Sequence, residues 1–258
     1  MTDRPQRLTR GPFRADQLRD GDRYELSSGH PIYCAPSGWR HGSSHMTGGL
    51  VLDSDPDVQW SGADVGISPD SGTLRAPDVV VQTTPPTGNA TWLTEAPPLV
   101  VEYAGPGQDE RELMDKIAEL LAAGTGQVWV VRLVGPQRVE VHRAAEPIKV
   151  YTAGDVLEAP GILRNSVPVR ALFDRDAAHE VVLRNLLQRR GYADLEDVRE
   201  EGREEGVVEA ILTLLRGRGL TVDVAVEERL RACHDREVLQ RWLLKAAQVA
   251  RADLIFAP

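Results

Sequence analysis

The chain has 258 residues and a mass of 28.3 kDa, room for about two domains. Its 30 Lys and Arg against 39 Asp and Glu give a formal charge of −9, which excludes a basic protein that coats phosphates and leaves at most a local basic groove. Aromatic residues are 5% of the chain, little material for base-stacking platforms, while 41% hydrophobic and 27% charged content is ordinary for a globular protein.

No apolar window is long enough to span a membrane. The stretch from Met1 to Arg10 is polar, carries several Arg and lacks the apolar segment of a secretory signal. Cys34 and Cys233 lie far apart and make neither a disulfide framework nor a four-ligand zinc site. These features predict a reduced, cytoplasmic protein with no membrane partner. Lysine occurs only at 116, 149 and 245.

In chain order, Tyr24–Leu26 and Pro31–Cys34 predict two short strands around a Ser-Ser-Gly turn. A helix follows His41, but Gly48 and Gly49 predict it to be short or poorly formed. Ala63–Ser68 alternates like a strand. Val79, Val80 and Val81 in Pro77–Gln82, and the run Leu99–Tyr103, are unbroken apolar stretches typical of buried strands. In Asp109–Ala123, Leu113, Ile117, Leu120 and Leu121 share one helical face, and Gly124 is placed to cap the helix. Gln127–Val134 and Arg138–His142 flank a Gly-Pro turn and predict a hairpin.

Beyond residue 175 the text is helical, with helices expected over Asp176–Arg190, Arg199–Arg216, Ala225–Ala232 and Glu237–Ala250. Gly202 and Gly206, within a tandem run of Arg, Glu and Gly, suggest a hinged or extended exposed helix. The order predicts an α/β (α+β) fold: a mixed sheet flanked by helices in a domain over 1–175, and a helical domain over 176–258.

One constellation carries chemistry. Asp78 opens one buried strand, Glu102 closes another, and Lys116 lies on the helix that follows. Carboxylates at the ends of apolar strands are costly unless paired or metal-bound. Two of them brought together make a hard oxygen site suited to Mg²⁺ or Mn²⁺, an ion able to activate water against a phosphodiester. Taken alone, the same spacing also fits strand-end carboxylates that face solvent.

Tyr24-Glu25-Leu26, His41-Gly42, Ala63-Asp64-Val65-Gly66, Arg75-Ala76-Pro77-Asp78-Val79, Leu99-Val100-Val101-Glu102, Asp115-Lys116, Val128-Trp129-Val130-Val131 and Val139-Glu140-Val141-His142-Arg143 occur in an order that resembles the Uma family of putative endonucleases, within the PD-(D/E)XK restriction-endonuclease-like superfamily. The resemblance spans about residues 15–174 and implies a restriction-endonuclease-like sheet. It implies that Asp78 and Glu102, with the carbonyl of Tyr103, hold Mg²⁺ or Mn²⁺. The superfamily's lysine position, two residues after the glutamate, is Ala104 here, and the resemblance implies that Lys116 takes over its role. Glu25 matches an N-terminal glutamate that approaches the metal site. His30 and Gly105-Pro106-Gly107 depart from the family's pattern.

Other signals are weaker. His41 and His45 stand four apart, a spacing that puts both on one helical face, but the Glu of zinc proteases is absent. Asp53, Asp55, Asp57 and Asp64 mimic a calcium loop, yet Val58 replaces its Gly, so a solvated acidic turn is expected. Arg40, Arg75 and Arg111 are candidates to line a phosphate cleft.

The sequence thus predicts a divalent-metal-dependent endonuclease acting on DNA, with Asp78, Glu102, Lys116 and Glu25 as catalytic candidates and Asp78, Glu102 and Tyr103 as metal ligands. It also predicts a homodimer paired through the C-terminal helices. The alternative is a nuclease-fold protein that binds DNA or a protein partner without cutting.

Overall fold

The computed structural model describes residues 11–257; the polar stretch 1–10, read above as lacking a signal sequence, and Pro258 lie outside them. Strands β1 (Tyr24–Ser27) and β2 (His30–Tyr33) form the expected N-terminal hairpin. Helix α1 (Trp39–Asp53) leads to β3 (Trp60–Ala63), β4 (Val79–Gln82) and β5 (Leu99–Ala104). Then come α2 (Glu110–Ala122), β6 (Gln127–Arg132), β7 (Arg138–His142) and β8 (Lys149–Thr152). A small pair, β9 (Val156–Leu157) and β10 (Val167–Pro168), precedes α3 (Arg175–Arg189).

The central sheet runs β3-β4-β5-β6-β7-β8. Only β5 and β6 are parallel, and α2 makes the crossover that a parallel pair requires. β6 and β7 form the predicted hairpin. The sheet is mixed and covered on both faces. Strand side chains alternate between faces, which sorts the core. Val79, Val81, Leu99, Val101, Tyr103, Trp129 and Val131 pack with Val51, Leu52, Leu172 and Val181 on the α1 and α3 side. Val80, Val100, Val128 and Val130 pack with Leu113, Ile117 and Leu120 of α2 on the other. Glu102 has the parity of Val100 and so faces α2, the helix that carries Lys116.

Two expectations are corrected here. Helix α1 is fully formed over 15 residues despite its glycines. Gly48 is where the helix meets Tyr103: a Cβ there would lie 1.7 Å from the Tyr103 hydroxyl. The glycine marks a close approach of strand and helix, not a break. Helix α3, assigned by the sequence to the C-terminal domain, belongs to the first unit, which ends at Arg189. Its Ala177, Ala178 and Val181 join the sheet core. Asn185 bonds Ser54, and the Arg189 guanidinium donates to the carbonyls of Asp53, Ser54, Asp55 and Val58, satisfying the otherwise open end of α1.

The acidic turn after α1 is also not a solvated one. Asp55 is 1% exposed and accepts from the backbone N–H groups of Asp57, Arg164 and Asn165.

The second unit, from Arg190 onward, contains α4 (Leu195–Gly217), α5 (Val224–Arg231) and α6 (Arg236–Ala246). Asp194, Asp223 and Asp235 cap the three helices by accepting N–H bonds of their first turns. Val208, Ile211, Leu212 and Leu215 of α4 pack with Val226, Leu230, Leu239 and Ile255. The helix runs unbroken through Gly202 and Gly206.

Candidate active site

β4 begins where β5 ends, because the two strands are antiparallel with Val79 opposite Val101. Asp78 and Glu102 are thereby delivered to one end of the sheet. The Asp78 Oδ2 accepts the backbone N–H of Tyr103 at 2.5 Å, locking the carboxylate across the strand gap. Asp109 caps α2, and the helix then swings Lys116 back over the same end. Glu25 arrives from β1. The four residues singled out by the sequence, Glu25, Asp78, Glu102 and Lys116, all line one cleft of about 660 Å³.

Lys116 is the centre of the charge arrangement. Its Nζ lies 2.6 Å from Glu102 Oε1 and 2.9 Å from Glu25 Oε1, and donates to the Ala76 carbonyl at 2.8 Å. Glu25 in turn accepts from Arg75 at 3.1 Å and from the backbone N–H of Ala76. Arg75 also donates to Glu119 at 2.5 Å, and Ser27 donates to the other oxygen of Glu119. Arg75 is thus a buried structural partner, not an open phosphate ligand, and Arg111 lies far out in solvent.

The electrostatics leave the site short of positive charge. Burial, with the negative charges of Asp78 and Glu25, pushes the Glu102 carboxyl up to about 8 in spite of Lys116. Burial pushes Lys116 down, but Glu102 and Glu25 outweigh it and hold the group above its usual value as an ammonium. Burial would raise Asp78; the hydrogen bond and charge of His41 and the N–H of Tyr103 keep it below its usual value.

Three residues near Asp78 were not assigned a role by the sequence. His41 Nε2 sits 3.1 Å from Asp78 Oδ1, and His45 Nδ1 lies 3.9 Å from the same oxygen. Asp64 lines the cleft from a left-handed backbone conformation, φ 52°, and burial raises its carboxyl. The four-residue spacing of the histidines was the available signal for the first two. Tyr103 contributes its backbone N–H to Asp78, and its ring is buried between the sheet and α1.

The model of the Uma2 family, described as putative restriction endonuclease, matches residues 13–170, more than half of the chain. The chain belongs to that family. Its fold is similar to the crystal structure of a putative nuclease of DUF820 from Anabaena variabilis, at 17% identity and a TM-score of 0.56, covering 63% of this chain and 96% of that one. Family and fold together support a nuclease at the level of class. No curated protein matches the chain.

Among the described residues, no helix is long and apolar enough to cross a membrane.

Proposed function

We propose that this protein is a divalent-metal-dependent endonuclease that hydrolyses DNA phosphodiester bonds. The observation that carries the reading is the convergence of Asp78, Glu102 and Lys116 in one cleft with more carboxylate than ammonium. The residues fit a hard cation. Glu102 Oε1 is buried, and its near neighbour is the Lys116 ammonium at 2.6 Å. An added divalent charge would offset the burial and the repulsion from Asp78 and Glu25 that make Glu102 a weak acid.

Asp78 and Glu102, with the main-chain carbonyl of Tyr103, would hold Mg²⁺ or Mn²⁺. Such an ion polarises a phosphoryl oxygen and makes a bound water acidic. Lys116, an ammonium at neutral pH, orients the attacking water or balances charge on the phosphate in the transition state. Glu25 is a positioning residue: it aligns Lys116 and is itself fixed by Arg75 and Ala76. On the rim, exposed Tyr33, Trp39 and Arg40 line the same cleft, with the Arg40 guanidinium 5.1 Å from the Trp39 ring. Arg40 suits a DNA phosphate and the rings suit an unpaired base.

Pairing of two copies through the second unit belongs to the same proposal. Leu195 and Val198 on the first turns of α4 offer exposed apolar surface for it. Sedimentation of the full chain tests that part.

The test of the function is cleavage of plasmid and single-stranded DNA with Mg²⁺ or Mn²⁺, with DNA binding followed in the same samples. Metal-dependent cutting that is lost in Asp78→Ala supports the reading. Binding without cutting, unchanged by that substitution, would replace it with a recognition function.

A further inference from the structure

We propose that His41, His45 and Asp78 form a nitrogen-bearing cation subsite that takes a transition ion, Mn²⁺, Co²⁺ or Zn²⁺, in preference to Mg²⁺. The subsite shares Asp78 with the proposed carboxylate site, and its part in catalysis rests on the nuclease reading.

The geometry comes from α1. Histidines four apart on a helix project from one face, and α1 lays that face against the start of β4. The ligand atoms of His41, His45 and Asp78 all lie within 4.8 Å of one another. His41 Nε2 is 3.1 Å and His45 Nδ1 is 3.9 Å from Asp78 Oδ1. Ligands bound at about 2.1 Å are separated by about 3–4 Å, so a small contraction of the three groups encloses an ion.

His45 has no other evident role. Its side chain is 13% exposed, it turns Nδ1 toward Asp78, and its ring stacks on Tyr103 with centroids 6.1 Å apart. Gly48 allows Tyr103 to lie close enough to wall the site. Two imidazoles and one carboxylate leave coordination positions open, as catalytic sites do. Imidazole nitrogen suits Mn²⁺, Co²⁺ and Zn²⁺, whereas Mg²⁺ favours oxygen ligands.

The experiment uses the full chain, stripped of metal by a chelator. Co²⁺ is added at neutral pH and followed by its visible absorption and by calorimetry, with Mg²⁺ as the comparator. Wild type is expected to bind Co²⁺ more tightly than Mg²⁺. His41→Ala and His45→Ala are each expected to weaken Co²⁺ at least about tenfold, and His45→Ala, which keeps the His41 hydrogen bond to Asp78, is expected to leave Mg²⁺ affinity unchanged. His45→Gln, which keeps the side-chain bulk, is expected to lose the Co²⁺ bands as well, with thermal unfolding confirming that each variant is folded. Co²⁺ binding that survives in both histidine variants, or tighter binding of Mg²⁺ than Co²⁺ in wild type, overturns the proposal. Histidine-dependent Co²⁺ binding in a protein that cuts no DNA supports the subsite and contradicts the nuclease reading. Cutting with Mg²⁺ without histidine-dependent Co²⁺ binding does the reverse.

Discussion

Lys116, on the helix that follows β5, places its ammonium 2.6 Å from Glu102, the carboxylate near the end of that strand. The crossover from β5 through α2 therefore does more than join two parallel strands. It returns a cation to the carboxylate that the strand has just delivered.

Removing that cation separates chemistry from folding. Lys116→Ala is expected to slow cleavage by about 10²-fold or more, the scale of losing one charge-stabilising donor. It also removes the shared partner of Glu25 and Glu102, a loss of about 1–3 kcal/mol at neutral pH, because Arg75 still holds Glu25 and the Glu102 carboxyl can take up a proton. Rates measured below the variant's unfolding temperature, beside a denaturant titration, separate the two effects.

The glycines of the two long helices should respond in opposite directions. At Gly48 an added methyl meets the Tyr103 hydroxyl and the Leu172 side chain, so Gly48→Ala is expected to cost about 1–3 kcal/mol. At Gly202 and Gly206 a Cβ meets nothing within 4 Å, so each change to Ala is expected to add about 0.5–1 kcal/mol of stability. Urea unfolding of the three single variants checks both signs.

That contrast shows how far the sequence carries. Strand ends and helix faces were legible: the runs holding Asp78 and Glu102, the α2 stripe of Leu113, Ile117 and Leu120, and the β6–β7 hairpin all depend on local pattern. Helix α1 was underestimated because helix propensity counts Gly48 as a cost, while the reason for that glycine is Tyr103, on a distant strand. The boundary at 175 missed α3 for the same reason. Helical text looks alike whether it packs on a sheet or on other helices, and the bond from Arg189 to the end of α1 is invisible in composition. The His41 contact with Asp78 is hidden in the sequence because the four-residue spacing has meaning only on a helix, and Gly48 and Gly49 argue locally against one.

Asp55 offers a test of a purely structural carboxylate. Three backbone N–H groups depend on it, and its side chain is buried. Asp55→Ala orphans all three and is expected to cost about 2–4 kcal/mol, while Asp57→Ala, on the exposed ion pair with Arg164, should cost under about 1 kcal/mol. Thermal unfolding of the two variants is the comparison.

Glu102 should make the metal-free protein less stable as pH rises. Its folded pKa, about 8, lies above the ordinary 4.5, so its contribution is full below pH 4.5 and is lost as pH rises through 8. The slope attributable to it approaches about 1.4 kcal/mol per pH unit between those values. Glu102→Gln is expected to remove that part of the slope and to be the more stable protein at pH 8 in chelator. Denaturant titrations at pH 6 and pH 8 measure it.

The most direct measurement of the central claim is cleavage of supercoiled plasmid by the full chain in Mn²⁺ and in Mg²⁺, with Asp78→Ala and Lys116→Ala run in parallel. The expected result is nicking or linearisation that requires the metal and is lost in both variants while their folds persist. Cutting that continues in either variant, or wild-type protein that binds the plasmid and leaves it intact in both metals, contradicts the assignment of this cleft as a nuclease site.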